Sequence, residues 1–118
     1  MRGYKIKKDG DTFYFELLPS NNNNQPIGRS KEYRSKKDCI EAIGEFRKII
    51  EKNNINSLSS KYAIYKKEIG KRHFLIHFDN EILYMSRFYT THFKDNCNRS
   101  LNDIYKHIEK YTTNDKGE

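Results

Sequence analysis

Apolar residues recur along the chain at two different spacings. Phe13, Phe15 and Leu17 alternate with Tyr14, Glu16 and Leu18, the two-residue period of a strand. Further on, Cys39, Ile43, Phe46 and Ile50 recur at intervals of four, three and four, which places them on one face of a helix. The punctuation between these runs agrees with both periods. Tyr4 to Lys8 predicts a short strand, and Asp9-Gly10-Asp11 predicts the turn that joins it to Phe13–Leu18. Pro19 and the run Asn21 to Asn24 break the second strand, and Pro26 to Ser30 reads as a weak third one. Ser35-Lys36-Lys37-Asp38 then resembles a capping box, with Asp in place of the usual Glu. The helix it opens runs to about Lys52, where Asn53-Asn54 ends it.

The second half repeats this order. Tyr4-Lys5-Ile6-Lys7-Lys8 reappears 58 residues later as Tyr62-Ala63-Ile64-Tyr65-Lys66, and the helix stripe reappears at the same offset as Cys97, Leu101, Ile104 and Ile108. Between these points the register slips, so that Tyr33 answers to Tyr89 at an offset of 56. Strands are expected near Tyr62–Lys67, His73–Phe78 and Ile82–Phe88, with a turn at Asp79-Asn80-Glu81. The expected fold class is α+β: two layers, with tandem β-β-β-α repeats forming one antiparallel sheet that carries both helices on one face. Residues 4–53 form the first repeat, 54–60 a polar linker, 61–111 the second repeat and 112–118 a tail, within a single domain spanning 1–118. A unit of this size is too small to bury a stable core alone, so the two halves must share one.

Composition narrows the picture slightly. Mean hydropathy is low at −1.03, but aromatic residues make up 14% of the 118 and supply burial area that a disordered chain lacks. No apolar run approaches the ~18 residues of a membrane span, and Met1-Arg2-Gly3-Tyr4-Lys5 opens no apolar leader, so the expected setting is the cytoplasm. A formal charge of +7 suits acidic partners, although lysines scattered over helices and turns give the same total through solubility alone. The wealth of Lys, Asn, Ile and Tyr suggests an AT-rich bacterial or phage genome.

Tyr33-Arg34-Ser35-Lys36, followed by Cys39 and Ile43, resembles the aromatic-Ser-Ser-Lys…Cys…Ile segment of YegP-like proteins. The opening Tyr-x-Ile-x-Lys and the Gly-containing hairpin fit the same pattern, and the resemblance runs from Tyr4 to about Tyr111. The second copy departs from it, with Ser86-Arg87-Phe88-Tyr89-Thr90-Thr91 in place of the motif. The resemblance implies a tandem strand–strand–strand–helix fold and no activity, because that family is largely uncharacterised.

The residue types that carry chemistry do not assemble. His73 and His77 alternate with Phe74, Ile76 and Phe78 on a strand, so their rings stand about 13 Å apart, too far to share one ion bound at about 2 Å. Cys39 and Cys97 belong to the apolar stripes and read as core residues rather than as reactive thiols. The acidic residues fall in turns, caps and solvated helix faces, and there is neither a phosphate loop nor a nucleophile elbow. No enzyme, metal or cofactor is inferred.

The informative feature is the sheet face away from the helices. If Phe13, Phe15, Leu17, Phe74, Ile76 and Phe78 face the helices, then Tyr14, Leu18, Tyr65, His73, Leu75 and His77 face outward. A face left to water should alternate to polar residues instead. The sequence therefore points to a non-enzymatic binding module that uses its open face on a protein partner or on a second copy of itself. Alternatively, Lys66, Lys67, Lys71 and Arg72 meet phosphates while the aromatics stack bases, helped by a stripe of Lys5, Lys7, Lys8, Arg34, Lys36 and Lys37. A third alternative is a phage-type, anti-CRISPR-like inhibitor that blocks a host nucleoprotein complex by protein contact.

Overall fold

The computed structural model describes residues 3–19 and 25–114. The Asn21 to Asn24 run and tail residues 115–118 lie outside them. Strands β1 (Gly3–Asp9), β2 (Thr12–Leu18) and β3 (Gly28–Ser30) precede helix α1 (Lys36–Lys52). Strands β4 (Ala63–Glu68), β5 (Lys71–Phe78) and β6 (Glu81–Ser86) precede α2 (Phe93–Lys106), which a short 3₁₀ turn at Ile108–Lys110 extends. The sheet has one strand more than the sequence predicts. Thr112–Asn114, assigned above to the tail, forms β7 and pairs in parallel with β1. The order across the sheet is β4-β5-β6-β3-β2-β1-β7, and every other pairing is antiparallel.

Local chemistry accounts for the elements. The Ser35 side chain accepts the Asp38 backbone N–H, which caps α1 as the motif predicts. Asn53 closes the other end by donating from Nδ2 to the Ile49 carbonyl. Asp79 and Asn80 both adopt positive φ, 54° and 64°, as a two-residue hairpin between right-twisted strands requires. The predicted stripes are the buried ones: Cys39, Ile43, Phe46 and Ile50 on α1, then Cys97, Leu101 and Ile104 on α2. Both helices lie on one face of the sheet, and their stripes join Tyr4, Ile6, Phe15, Leu17, Phe74, Ile76 and Tyr84 in a single apolar cluster. Phe15, Phe46 and Tyr84, one ring each from β2, α1 and β6, pack with centroids 5.5–6.0 Å apart at its centre. Among the described residues, no helix is long and apolar enough to cross a membrane.

Two predicted core residues sit differently. Phe13 is only partly buried against the cluster. Phe78 is half-buried outside the cluster, with its ring 5.5 Å from Tyr62. For Phe78 the cause is a β-bulge. Ile76 pairs with Tyr84 but His77 pairs with Ile82, which leaves Leu83 as the extra residue of β6. Leu83 and Tyr84 consequently both meet the core, and Phe78, beyond the bulge, lies outside it.

Candidate functional site

The face opposite the helices can be followed strand by strand through the pairing register. Ile64 lies beside Leu75, Leu75 beside Met85, Met85 beside Arg29, Arg29 beside Glu16, and Glu16 beside Lys5. Paired residues share a face, so these six form one row across six strands. The row is apolar on β4–β6 and charged on β3–β1. Leu75 is only 7% exposed although no helix covers it, whereas Ile64 and Met85 beside it are 38% and 41% exposed. Phe88, in the segment after β6, adds a further apolar side chain at 42% exposure.

On the charged half, Glu16 lies 3.6 Å from the Lys7 ammonium. Arg29 is 2.9 Å from the Glu32 carboxylate and places its guanidinium 3.8 Å from the Tyr14 ring centre. Contacts with Thr12 and Arg29 hold the Glu32 carboxyl below its ordinary range. Where the two halves of the row meet there is a shallow groove of about 280 Å³, lined by Pro26, Gly28, Arg29, Met85, Arg87 and Phe88 among others. Gly28 contributes no side chain, so the groove is bounded there by backbone.

Sequence reasoning places most of the candidate residues on this face, and three of them wrongly. Tyr14, Leu18, Lys66, Lys71, His73, Leu75 and His77 stand on the outer side by register. Tyr65, Lys67 and Arg72 stand on the helix side. Tyr65 pairs with the fully buried Phe74, packs against the core and lies beneath the Lys94 ammonium of α2. Arg72 pairs with Lys67 and stacks 4.9 Å over Phe93 of α2. The proposed quartet Lys66, Lys67, Lys71 and Arg72 is therefore divided between the two faces. For Tyr65 and Lys67 the error comes from aligning β4 at an offset of 58, whereas Arg72 on β5 alternates with the outward His73. Tyr4 pairs with Leu17, and the equivalent contact is Ala63 with Ile76, so the offset there is 59. A one-residue slip exchanges the faces of a strand, and it hides Ile64 as an outward residue. Met85, Phe88 and Arg29 are also missed. The alternation outward from Tyr84 could have found Met85, but the bulge masks that signal.

The two histidines are not free on this face. His77 Nε2 lies 2.9 Å from the Lys61 carbonyl, and its ring packs near Tyr62. His73 is 3% exposed, with its ring T-shaped to that of Phe88 at 4.9 Å between centres. Its Nδ1 is buried without a hydrogen-bond partner, and burial lowers its pKa. The Lys71 ammonium lies 5.0 Å from the Phe88 ring centre. Cys39 and Cys97 are both buried, and burial pushes the Cys97 thiol up to about 11. Among the described residues, no three His, Cys, Asp or Glu side chains converge as a metal site.

The architecture recurs in solved structures. Over 97% of this chain and 90% of the other, it superposes on the UPF0339 protein SO3888 from Shewanella oneidensis with a TM-score of 0.73 at 17% identity. Over 98% and 92%, it superposes on YegP from E. coli, a protein of unknown function, with a TM-score of 0.69 at 20% identity. The resemblance to YegP-like proteins read from the sequence is thus a shared fold over nearly the whole chain. No protein-family model and no curated protein matches it in sequence.

Proposed function

We propose that the chain is a non-enzymatic binding module that meets a macromolecular partner through the outer face of its sheet. The observation that carries this reading is the row Ile64–Leu75–Met85 beside Phe88. An antiparallel sheet face in contact with water has no use for four neighbouring apolar side chains, and an exposed apolar patch bordered by charge is the usual mark of an interface. A cytoplasmic setting belongs to the same reading, and the burial of both cysteines in the core is compatible with it. So does an origin by duplication. It is supported by the shared element order and by Ser30 and Ser86, whose hydroxyls make the same two hydrogen bonds in the two halves.

Met85→Lys tests the reading better than a change at Leu75, because Met85 is exposed and Leu75 is not. The variant is expected to melt close to the parent, yet to lose most of its capture of a partner in a pull-down or its self-association in sedimentation. Undiminished binding by a normally folded Met85→Lys removes the outer face from consideration. The competing nucleic-acid reading predicts oligonucleotide affinity that falls steeply with salt. Absence of oligonucleotide binding at low salt eliminates it.

A further inference from the structure

We infer that the partner of the outer face is an acidic protein segment bearing apolar side chains, an inference that rests on the binding reading above and names its occupant. Two features favour protein over nucleic acid. The centre of the patch is aliphatic, made of Ile64, Leu75 and Met85, and offers nothing on which a base can stack. The aromatic rings at its border are already engaged by cations: Arg29 lies 3.8 Å from the Tyr14 ring centre, and Lys71 lies 5.0 Å from that of Phe88. Single-stranded nucleic acid needs uncovered ring faces in series. Apolar side chains from a protein need only the aliphatic row and the groove of about 280 Å³ beside it.

Charge gives the sign of the partner. On the charged half of the face, Glu16 is matched by Lys7 and Arg29 by Glu32. Around the apolar half stand Lys66 and Lys71, against Glu68 alone on the outer side of β4, while Arg87 borders the groove with its guanidinium stacked on Tyr89. The excess there is positive, so carboxylates flanking the incoming apolar side chains complete it. A second copy of the chain would bring the same cations against one another, at a formal charge of +7 per copy.

The test is selection of a random phage-displayed peptide library on the immobilised full-length chain, followed by fluorescence anisotropy of the enriched peptides. Enriched sequences are expected to place Asp or Glu beside Leu, Ile, Phe or Met. Their affinity is expected to fall about tenfold or more on Met85→Glu, and by a smaller factor on Lys71→Glu, at an exposed position that contributes no side chain to the buried core. Ile40→Glu, at an exposed position on α1, is expected to leave it unchanged. Enrichment of basic or uncharged peptides that Met85→Glu still weakens refutes the acidic partner and leaves the face standing. Acidic peptides bound equally well by Met85→Glu refute the face itself. Failure to enrich any peptide overturns the inference. So does binding of oligothymidine that Lys71→Glu abolishes, or a dimer in sedimentation that Met85→Glu dissociates.

Discussion

His73 sits on the side of the sheet that no helix covers, yet its imidazole is enclosed, with the Phe88 ring T-shaped to it and Lys66 beside it on β4. Burial disfavours its charged form, Lys66 adds to the effect, and Glu68 opposes it. The folded chain therefore holds His73 neutral at a pH where the unfolded chain, with an ordinary pKa of about 6.5, already binds a proton. Protons favour the unfolded state between the two pKa values, so this contribution to stability is present above about pH 6.5 and is lost as pH falls through the folded pKa. The urea midpoint is expected to drop between pH 7 and pH 5 more steeply in the parent than in His73→Phe, which cannot titrate. Equal slopes for the two proteins would show that the His73 pocket admits water. The same enclosure explains why a residue placed outward by sequence alternation does not act as an exposed one.

At the scale of elements, what could be read in advance followed from periodicity, and what could not followed from single-residue irregularities. The helix stripes repeat over three turns and tolerate a misplaced boundary, so Phe46 and Ile104 fall in the core as their spacing predicts. Strand faces have no such tolerance. One residue of slip in β4 sends Tyr65 to the helices, and one extra residue in β6 hides Met85. Half of the candidate surface was legible for this reason, and the apolar residues at its centre were not, Leu75 apart.

A second irregularity recurs and is structural. At Ser30 and Ser86 the strand leaves its neighbour. Each hydroxyl accepts a backbone N–H from the adjacent strand, Phe15 or Phe74, and donates to the carbonyl of the next residue, Lys31 or Arg87. Three residues later Tyr33 and Tyr89 return to bridge Phe13 and Arg72. Ser86→Ala and Ser30→Ala each strand a buried N–H, and each is expected to cost about 1–3 kcal/mol in urea unfolding. As the two sites share no partner, the double variant should show close to the sum. A cost near zero at either site would mean that water replaces the hydroxyl there.

At the scale of the molecule, the sheet order sets β3 against β6 at the junction of the two halves, and this junction is short of regular ladder. β3 has three residues, and its strand pairing with β2 is the single step Glu16–Arg29. Side chains supply what the ladder lacks: Phe15 N–H goes to Ser30 and Leu17 N–H to the Tyr84 hydroxyl. Packing beneath the junction compensates, since Phe15, Phe46 and Tyr84 meet there from β2, α1 and β6. The β3–β6 contact also requires an unusually close approach. A Cβ on Gly28 would lie 2.1 Å from the Met85 carbonyl oxygen and 2.6 Å from the Ser86 Cα, both backbone atoms that cannot swing aside. Gly28→Ala must therefore part β3 from β6. The expected loss exceeds the roughly 1–3 kcal/mol of ordinary overpacking, because ladder hydrogen bonds and the aromatic contacts beneath them go together. The parent, with one shared core, is expected to unfold in one transition seen alike by far-ultraviolet circular dichroism and tyrosine fluorescence. Gly28→Ala should lower that midpoint sharply or split the two signals. A variant with the parent's midpoint would mean that β3 and β6 do not approach so closely, and that the two halves are held together by their helices instead.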